Sequence, residues 1–214
     1  FWNIIGTGKV MNNGHYLHEQ TFFTYNYKYA LEHGTIPFWT PFWYSGQPLF
    51  GDGQVFFLNL TFLFMLLLKN IFLAIDLSTL AYFFIGGLGM YFLVKHLVES
   101  RSAAFISSMI FMFNGLIYTF VTSGNPSILE PYSLIPLIFL CLVKARNAKN
   151  PVNCSILAGV LLAFHVFSGG AQMLLYTMVL VGLYLIASCI SSNFKKDLAR
   201  AFAIGLIVMI AFLG

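Results

Sequence analysis

Two carboxylates near the start of the chain could support acid–base or metal chemistry. Glu19 follows His15 by four positions, so a helix would place both side chains on one face. A carboxylate can accept the proton of a hydroxyl acceptor during group transfer. Glu19 and Asp52 would also offer the oxygen ligands that Mg²⁺ and Mn²⁺ prefer. The alternative is that Glu19 is a solvated carboxylate at a helix start, where the helix dipole stabilises it.

Three further side chains could bind an anionic ligand or mark a site at membrane depth. A phosphate requires a cationic partner, and His18 and Lys28 are the candidates near Glu19. Lys28 could equally be an interfacial lysine whose stem lies along apolar surface. His165 lies within an apolar run, where an ionisable group is a functional hypothesis. The alternative is a core histidine bonded to a neighbouring helix.

The amino-acid composition indicates whether the protein is soluble or lies in a membrane. Hydrophobic residues make up 59% of the 214 residues and charged residues only 8%, whereas a typical soluble domain has about 25% charged residues. A chain so poor in charge cannot cover a soluble surface, and it is too apolar to be disordered. Aromatic residues reach 18%, which suits lipid contact and interfacial belts. We therefore expect a membrane protein.

Six apolar runs predict the elements that must position the candidate residues. A spanning helix needs about 20 mostly apolar residues, so we expect an all-α polytopic bundle with about six spans. Gly86, Gly87 and Gly89 predict close packing between helices. Because the chain starts at Phe1 and ends inside an apolar run, we expect a fragment truncated at both ends. The runs cover residues 71–94, 102–121, 131–143, 152–168, 171–190 and 201–214.

The basic residues predict the orientation of the bundle. Eight of the 11 Lys and Arg residues lie in loops that must share one side, which the positive-inside rule places in the cytoplasm. Their position there explains the net charge of +4 without a nucleic-acid partner. The eight are Lys95, Arg101, Lys144, Arg146, Lys149, Lys195, Lys196 and Arg200.

One short apolar segment determines on which side the first loop lies. Val55–Leu68 has 14 residues, which as a helix would cover about 21 Å of a hydrocarbon core about 30 Å thick. We therefore expect it to lie flat or re-enter, which leaves residues 1–53 outside the cytoplasm. Asp76 and Glu130 then fall at outer helix ends and are expected at the interface. Cys141, Cys154 and Cys189 fall near the cytoplasmic ends, so no disulfide framework is implied.

The first loop combines a predicted helix with an aromatic, proline-rich segment. Residues 15–33 read as a helix that Gly34 ends. Pro37, Pro41 and Pro48 exclude a regular helix after it and favour extended or turn geometry. The aromatic side chains between these prolines are either an interfacial belt or a rigid lip around a lipid-linked substrate.

The order of these residues resembles the first external loop of the YfhO-type bacterial membrane proteins. The most specific part is Gly34-Thr-Ile-Pro37-Phe-Trp39-Thr-Pro41-Phe-Trp43-Tyr-Ser-Gly46-Gln-Pro48. The resemblance extends over nearly the whole chain. Its weaker parts are Gly86-Gly87-Leu-Gly89-Met90-Tyr91, Phe113-Asn114-Gly115, Gly124-Asn125, Leu134-Ile-Pro136-Leu137 and Ser168-Gly-Gly170-Ala-Gln172.

The resemblance implies a glycosyltransferase of the GT-C type in the plasma membrane. Such enzymes take a sugar from a polyprenyl-phosphate carrier at the outer face and transfer it to a cell-envelope polymer, lipid or protein. Glu19 is the nearest match to the acidic residue of the family's loop, with Asp52 as a second carboxylate, and a divalent cation, Mg²⁺ or Mn²⁺, would bind both. The residues expected to contact carrier or acceptor are His15, His18, Lys28, Trp39, Trp43, Tyr44, Gln47, His165 and Gln172.

We expect two domains, and we consider one function with two alternatives. Residues 1–70 would form an external loop with juxtamembrane helices and a re-entrant segment, and residues 71–214 the transmembrane helices. The alternatives to glycosyl transfer are a transporter or flippase of a lipid-linked product and a non-catalytic scaffold. A transporter would show broken helices and polar groups near the bilayer midplane.

Overall fold

The structure, a computed structural model, describes residues 25–30, 32–34, 38–40, 45–49, 59–68, 70–123, 126–148 and 150–190. This part of the chain is mostly helical, with one small antiparallel pair of strands. Residues 25–30 are also helical. The strands are β1 (Trp39–Thr40) and β2 (Gln47–Pro48). The helices are α1 (Leu60–Leu67), α2 (Ile71–Val98), α3 (Arg101–Met112), α4 (Gly115–Ser123), α5 (Pro126–Asn147), α6 (Val152–Phe167) and α7 (Ala171–Ile190).

Local capping explains where the first three helices begin. Asn59, Asn70 and Ser100 have extended backbones, and their side chains accept hydrogen bonds from backbone N–H groups in the first turns of α1, α2 and α3. Helix α2 ends at Glu99, whose backbone is left-handed at φ 57°. The turn from α2 to α3 therefore needs only two residues, which holds the two helices side by side.

Four segments are long and apolar enough to cross a membrane: Phe72–Val98, Arg101–Thr119, Ile128–Asn147 and Ala171–Ser188. The apolar helix α6 has 16 residues and is shorter. The all-α prediction is thus confirmed for the described residues, and the predicted sixth run at 201–214 lies outside them. The prediction differs at the second run, which is two helices, α3 and α4, separated at Phe113 and Asn114.

Helix α5 is the centre of the bundle. Of its spanning window 67% is buried inside the protein, against 22–28% for the other three spans. It packs against α2, α6 and α7, and Ile138, Leu142 and Leu162 lie in the fully buried core between these helices. The spans other than α5 present large apolar side chains outward, as expected where lipid replaces water.

The three glycines of α2 confirm the predicted close packing. A Cβ added at Gly86 would lie 2.9 Å from the Phe111 ring, and one at Gly87 would lie 2.3 Å from the Met112 sulfur. A Cβ at Gly89 would lie 2.9 Å from Leu137 Cγ. The glycines therefore let α3 approach one side of α2 and α5 the other.

Helices α2 and α5 run parallel, which brings basic residues to one end of the bundle. Gly86 lies beside Ser133, and Gly89 beside Leu137, so both sequences advance in the same direction. Arg146, near the end of α5, lies 3.3 Å from the Ser188 hydroxyl and carbonyl oxygens near the end of α7. The C-terminal ends of α2, α5 and α7 therefore share one end of the bundle, and Lys95, Lys144 and Arg146 lie there. We call this the basic end.

Candidate functional site

The described part of the first loop is an anchored hairpin. Trp39 pairs with Pro48 and Thr40 with Gln47, as the prediction of extended and turn geometry requires. Ser45 and Gly46 between the strands have φ of 64° and 109°. A Cβ at Gly46 would lie 2.6 Å from the Trp39 indole, so only glycine lets the backbone approach this ring. Gly34, at φ 65°, ends the preceding helical segment as predicted.

This hairpin is fixed to the end of α2 opposite the basic end. The Thr40 hydroxyl donates to Asn26 Oδ1 at 2.6 Å. Tyr27 and Leu49, each 1% exposed, pack with Met65 of α1 and Ala74 of α2. Ala74 lies in the first turn of α2 and Lys95, 21 positions later, in its last turn. The helix rises about 32 Å between them, which separates the hairpin from the basic end.

The hairpin presents aromatic rings outward. Trp39 is 59% exposed and Phe38 51% exposed. The backbone that carries these rings is nevertheless fixed, because Leu49 N donates a hydrogen bond to Phe38 O at 2.9 Å. Lys28, in the helical segment before the hairpin, lies 3.9 Å from the Glu32 carboxylate. The predicted contacts Trp39 and Lys28 thus belong to one anchored unit.

The remaining predicted residues of the first loop are not described. Gln47 lies in β2, but its side chain is outside the described set. The two carboxylates predicted to act in catalysis or to bind a metal also lie outside the described residues. Those outside are His15, His18, Glu19, Trp43, Tyr44 and Asp52.

The second feature at this end of the bundle is a buried carboxylate that sequence reasoning placed at the interface. Glu130 is 1% exposed and Asp76 5% exposed, so both carboxylates are buried inside the protein at the end of the bundle that carries the hairpin. Asn59 Nδ2 donates to Glu130 Oε2 at 2.7 Å. Thr61 Oγ1 lies 2.9 Å from Glu130 Oε1 and 2.7 Å from Ser78 Oγ. The carboxyl group thus joins α5 to the start of α1 and to α2.

Tyr82 of α2 brings the end of α6 into the group of polar side chains around Glu130. Its hydroxyl accepts a hydrogen bond from Leu60 N at 3.3 Å, and the Ser168 side chain lies near it. Ser168 follows α6 directly and donates to Phe164 O at 2.9 Å. We call Asn59, Thr61, Ser78, Tyr82, Glu130 and Ser168 the polar cluster.

The two predicted residues near the α6–α7 turn do not join the polar cluster. His165 is fully buried, and its Nε2 lies 3.4 Å from Thr177 Oγ1 of α7. Its Nδ1 has no hydrogen-bond partner among the described residues. Gln172 is on the surface, where Nε2 donates to the Tyr176 hydroxyl at 2.7 Å. The structure therefore favours the core interpretation of His165.

The break between α3 and α4 is a further feature that the run of apolar residues concealed. Asn114 Nδ2 donates to Phe111 O at 2.7 Å, and Oδ1 accepts from Ile117 N at 2.8 Å. The same Nδ2 lies 3.3 Å from the Tyr132 hydroxyl of α5, whose ring stacks on Phe111 with centroids 5.0 Å apart. Asn114 thus satisfies backbone groups on both sides of the break.

Comparisons with protein-family models, with curated proteins and with solved structures find no match to this chain. Within the ranges that the structure describes, no group of three or more His, Cys, Asp or Glu side chains could hold a metal ion. The site is therefore defined by its own geometry. It consists of an exposed aromatic hairpin and a buried polar cluster, with α1 in contact with both.

Proposed function

We propose that this chain is the membrane-embedded part of a GT-C-like glycosyltransferase. In this proposal the hairpin end of the bundle faces the outside of the plasma membrane, and the basic end faces the cytoplasm. The protein transfers a sugar from a polyprenyl-phosphate carrier to an acceptor of the cell envelope. The resemblance of the first loop and the distribution of basic residues are its sequence support.

One structural observation carries the proposal. Exposed Trp39 and Phe38 stand on a hairpin that buried side chains fix to α1 and α2. A loop that served only as a connection would not need this anchor. Aromatic rings held at headgroup depth offer apolar surface to a polyprenyl chain at little cost in conformational entropy. The arrangement supports a rigid lip around a lipid-linked substrate over a simple connecting loop.

The proposal assigns chemistry to side chains on the first loop. Glu19 accepts the proton of the acceptor hydroxyl while the sugar carbon becomes cation-like. Asp52 is the second carboxylate, and with Glu19 it holds Mg²⁺ or Mn²⁺ if the reaction needs a cation. Lys28 contributes positive charge to the carrier phosphate. His15, His18, Trp43, Tyr44 and Gln47 complete the proposed binding set on this loop.

A transporter or flippase of a lipid-linked product is the second candidate, because of the break at Asn114. Transporters often place discontinuous helices and their freed backbone groups at a substrate site. Here the break faces Tyr132 of the central helix α5. The backbone groups at the break are partly satisfied by Asn114 itself, which weakens this candidate relative to the first.

The test of the enzyme proposal compares carboxylates of one loop in the full-length protein. Glu19→Gln keeps the side-chain shape and removes the charge, so transfer from a radiolabelled polyprenyl-phosphate sugar should fall about 10²-fold or more. Asp52→Asn should reduce transfer less. Glu99→Gln is the matched control, because Glu99 is exposed at the basic end, far from the first loop, and it should keep the wild-type rate. Equal rates in Glu19→Gln and wild type at equal expression would remove Glu19 from the mechanism.

A further inference from the structure

The polar cluster contains three consecutive contacts at hydrogen-bond distance. Glu130 Oε1 lies 2.9 Å from Thr61 Oγ1, which lies 2.7 Å from Ser78 Oγ, which lies 2.8 Å from Ile75 O. Each contact needs one proton between its two oxygens. Thr61 and Ser78 carry one hydroxyl proton each, and the Ile75 carbonyl carries none. The hydroxyl groups therefore supply two of the three protons.

The third proton has to come from the Glu130 carboxyl group. If Glu130 were ionised, one of the three contacts would place two oxygen lone pairs against each other at less than 3 Å, which is unfavourable. If Glu130 is protonated, the chain of donors runs from Oε1 through Thr61 and Ser78 to Ile75 O, and every contact is satisfied. The three oxygen–oxygen distances are therefore those expected for the neutral carboxylic acid.

Asn59 determines which carboxyl oxygen carries the proton. Its Oδ1 accepts from Phe62 N at 2.9 Å, so its Nδ2 must face Glu130 Oε2. Since Oε2 already receives a donor, the proton belongs on Oε1, the oxygen that faces Thr61. The amide orientation and the proton count agree on one arrangement.

The charged and titratable groups around Glu130 are consistent with this state. Tyr82 of α2 faces it, while α1 has no titratable side chain. In the described part of the chain, Glu130 forms no ion pair, and Asp76 of α2 makes no hydrogen bond with it. The other titratable groups on α2 and α6 are Tyr91, Lys95, His96 and Cys154, which lie toward the basic end, and His165, which faces Thr177. Tyr118 of α4 is 71% exposed, Tyr176 of α7 is bonded to Gln172, and Tyr184 of α7 packs on Phe139.

We infer that Glu130 is a proton-binding site, at which a carboxylic acid holds α1 on the bundle through the chain Glu130–Thr61–Ser78–Ile75. Loss of this proton removes one of the three contacts, and thereby weakens the attachment of α1, which also packs against the hairpin. Proton release at Glu130 is thus linked to the position of the hairpin. This inference holds for either function proposed above.

Infrared difference spectroscopy on the full-length protein in lipid nanodiscs tests the site directly. The wild-type protein should show a protonated-carboxyl C=O band at neutral pH that shifts in D₂O and is missing in Glu130→Gln. Gln can donate to Thr61 and accept from Asn59, so this variant should fold. Asp76→Asn is the control and should keep the band. A wild-type spectrum without the band, or an unchanged band in Glu130→Gln, would overturn the inference.

A second pair of variants keeps the test decisive if Glu130→Gln does not fold. Thr61→Val removes the acceptor of the Glu130 proton, so the C=O band should move to higher frequency, whereas Thr61→Ser should leave it in place. A cysteine at Leu67, which is 72% exposed at the end of α1, should gain reactivity at alkaline pH relative to a free thiol in Thr61→Ser but not in Thr61→Val. Identical spectra for Thr61→Val and Thr61→Ser, together with pH-independent labelling relative to a free thiol, would contradict the proton chain.

Discussion

Asn59 and Glu130 are 71 positions apart in the chain, and a 2.7 Å hydrogen bond from Asn59 Nδ2 to Glu130 Oε2 joins them inside the protein. Asn59 is also the N-cap of α1. One side chain therefore begins the short helix and ties it to the central helix α5. This relationship explains why α1, with only eight residues, has a defined position against the bundle.

The two asparagine caps should differ in how much they stabilise the protein. Asn70→Ala removes only the cap of α2, which costs about 1 kcal/mol. Asn59→Ala removes the cap of α1 and also leaves a buried oxygen of Glu130 without its donor, which adds about 1–3 kcal/mol. Thermal unfolding in detergent should therefore show a clearly larger loss for Asn59→Ala. Asn59→Ser, which keeps the cap, should fall between them; equal losses for the two alanine variants would remove the special role of Asn59.

The glycines of α2 should tolerate no side chain where α5 approaches. Gly89→Ala places a Cβ 2.9 Å from Leu137 Cγ and 3.3 Å from Pro136 Cβ, and overpacking of this kind costs about 1–3 kcal/mol. Gly182→Ala in α7 is the control, since no atom lies within 4 Å of the added Cβ. Unfolding midpoints should drop for Gly89→Ala and stay near the wild-type value for Gly182→Ala. A similar drop in both would mean that the α2–α5 contact is looser than described.

The sequence predicted correctly the structural features that depend on residue type at one position or on its neighbours in the chain. Gly34 ends a helical segment, the prolines around Trp39 give strand and turn, and the glycines of α2 mark a close helix contact, because each follows from backbone sterics or residue size. The burial of Glu130 could not be predicted in this way, because its partners lie on α1 and α2, far away in sequence. The Asn114-Gly115 pair was a turn signal, but the surrounding apolar run concealed the break.

The orientation of the bundle should be measurable by cysteine labelling of intact cells. In a cysteine-free background, Ser45→Cys should react with an impermeant thiol reagent, because Ser45 lies in the exposed hairpin turn. Asn147→Cys, at the basic end, and Asn193→Cys should be shielded until the cells are opened. Labelling of all three positions to the same extent in intact cells would refute the proposed orientation.

The short helix α1 should not separate compartments. Its eight residues rise only about 12 Å, far less than the hydrocarbon core of about 30 Å. Reporters fused after Gly51 and after Asn70 should therefore report the same side of the membrane. Opposite sides would mean that the segment around α1 crosses the bilayer and that the hairpin faces the cytoplasm.

The most direct test of the enzyme proposal separates sugar transfer from lipid movement. Full-length protein in liposomes is supplied with a panel of polyprenyl-phosphate hexoses labelled in the sugar, together with a lipid extract of the native envelope as acceptor. If the protein is a glycosyltransferase, the label should leave the polyprenyl carrier and appear in a carrier-free product. Glu19→Gln should prevent this transfer. Label that stays on the carrier while the labelled lipid crosses to the other leaflet would contradict the enzyme proposal and favour the transporter.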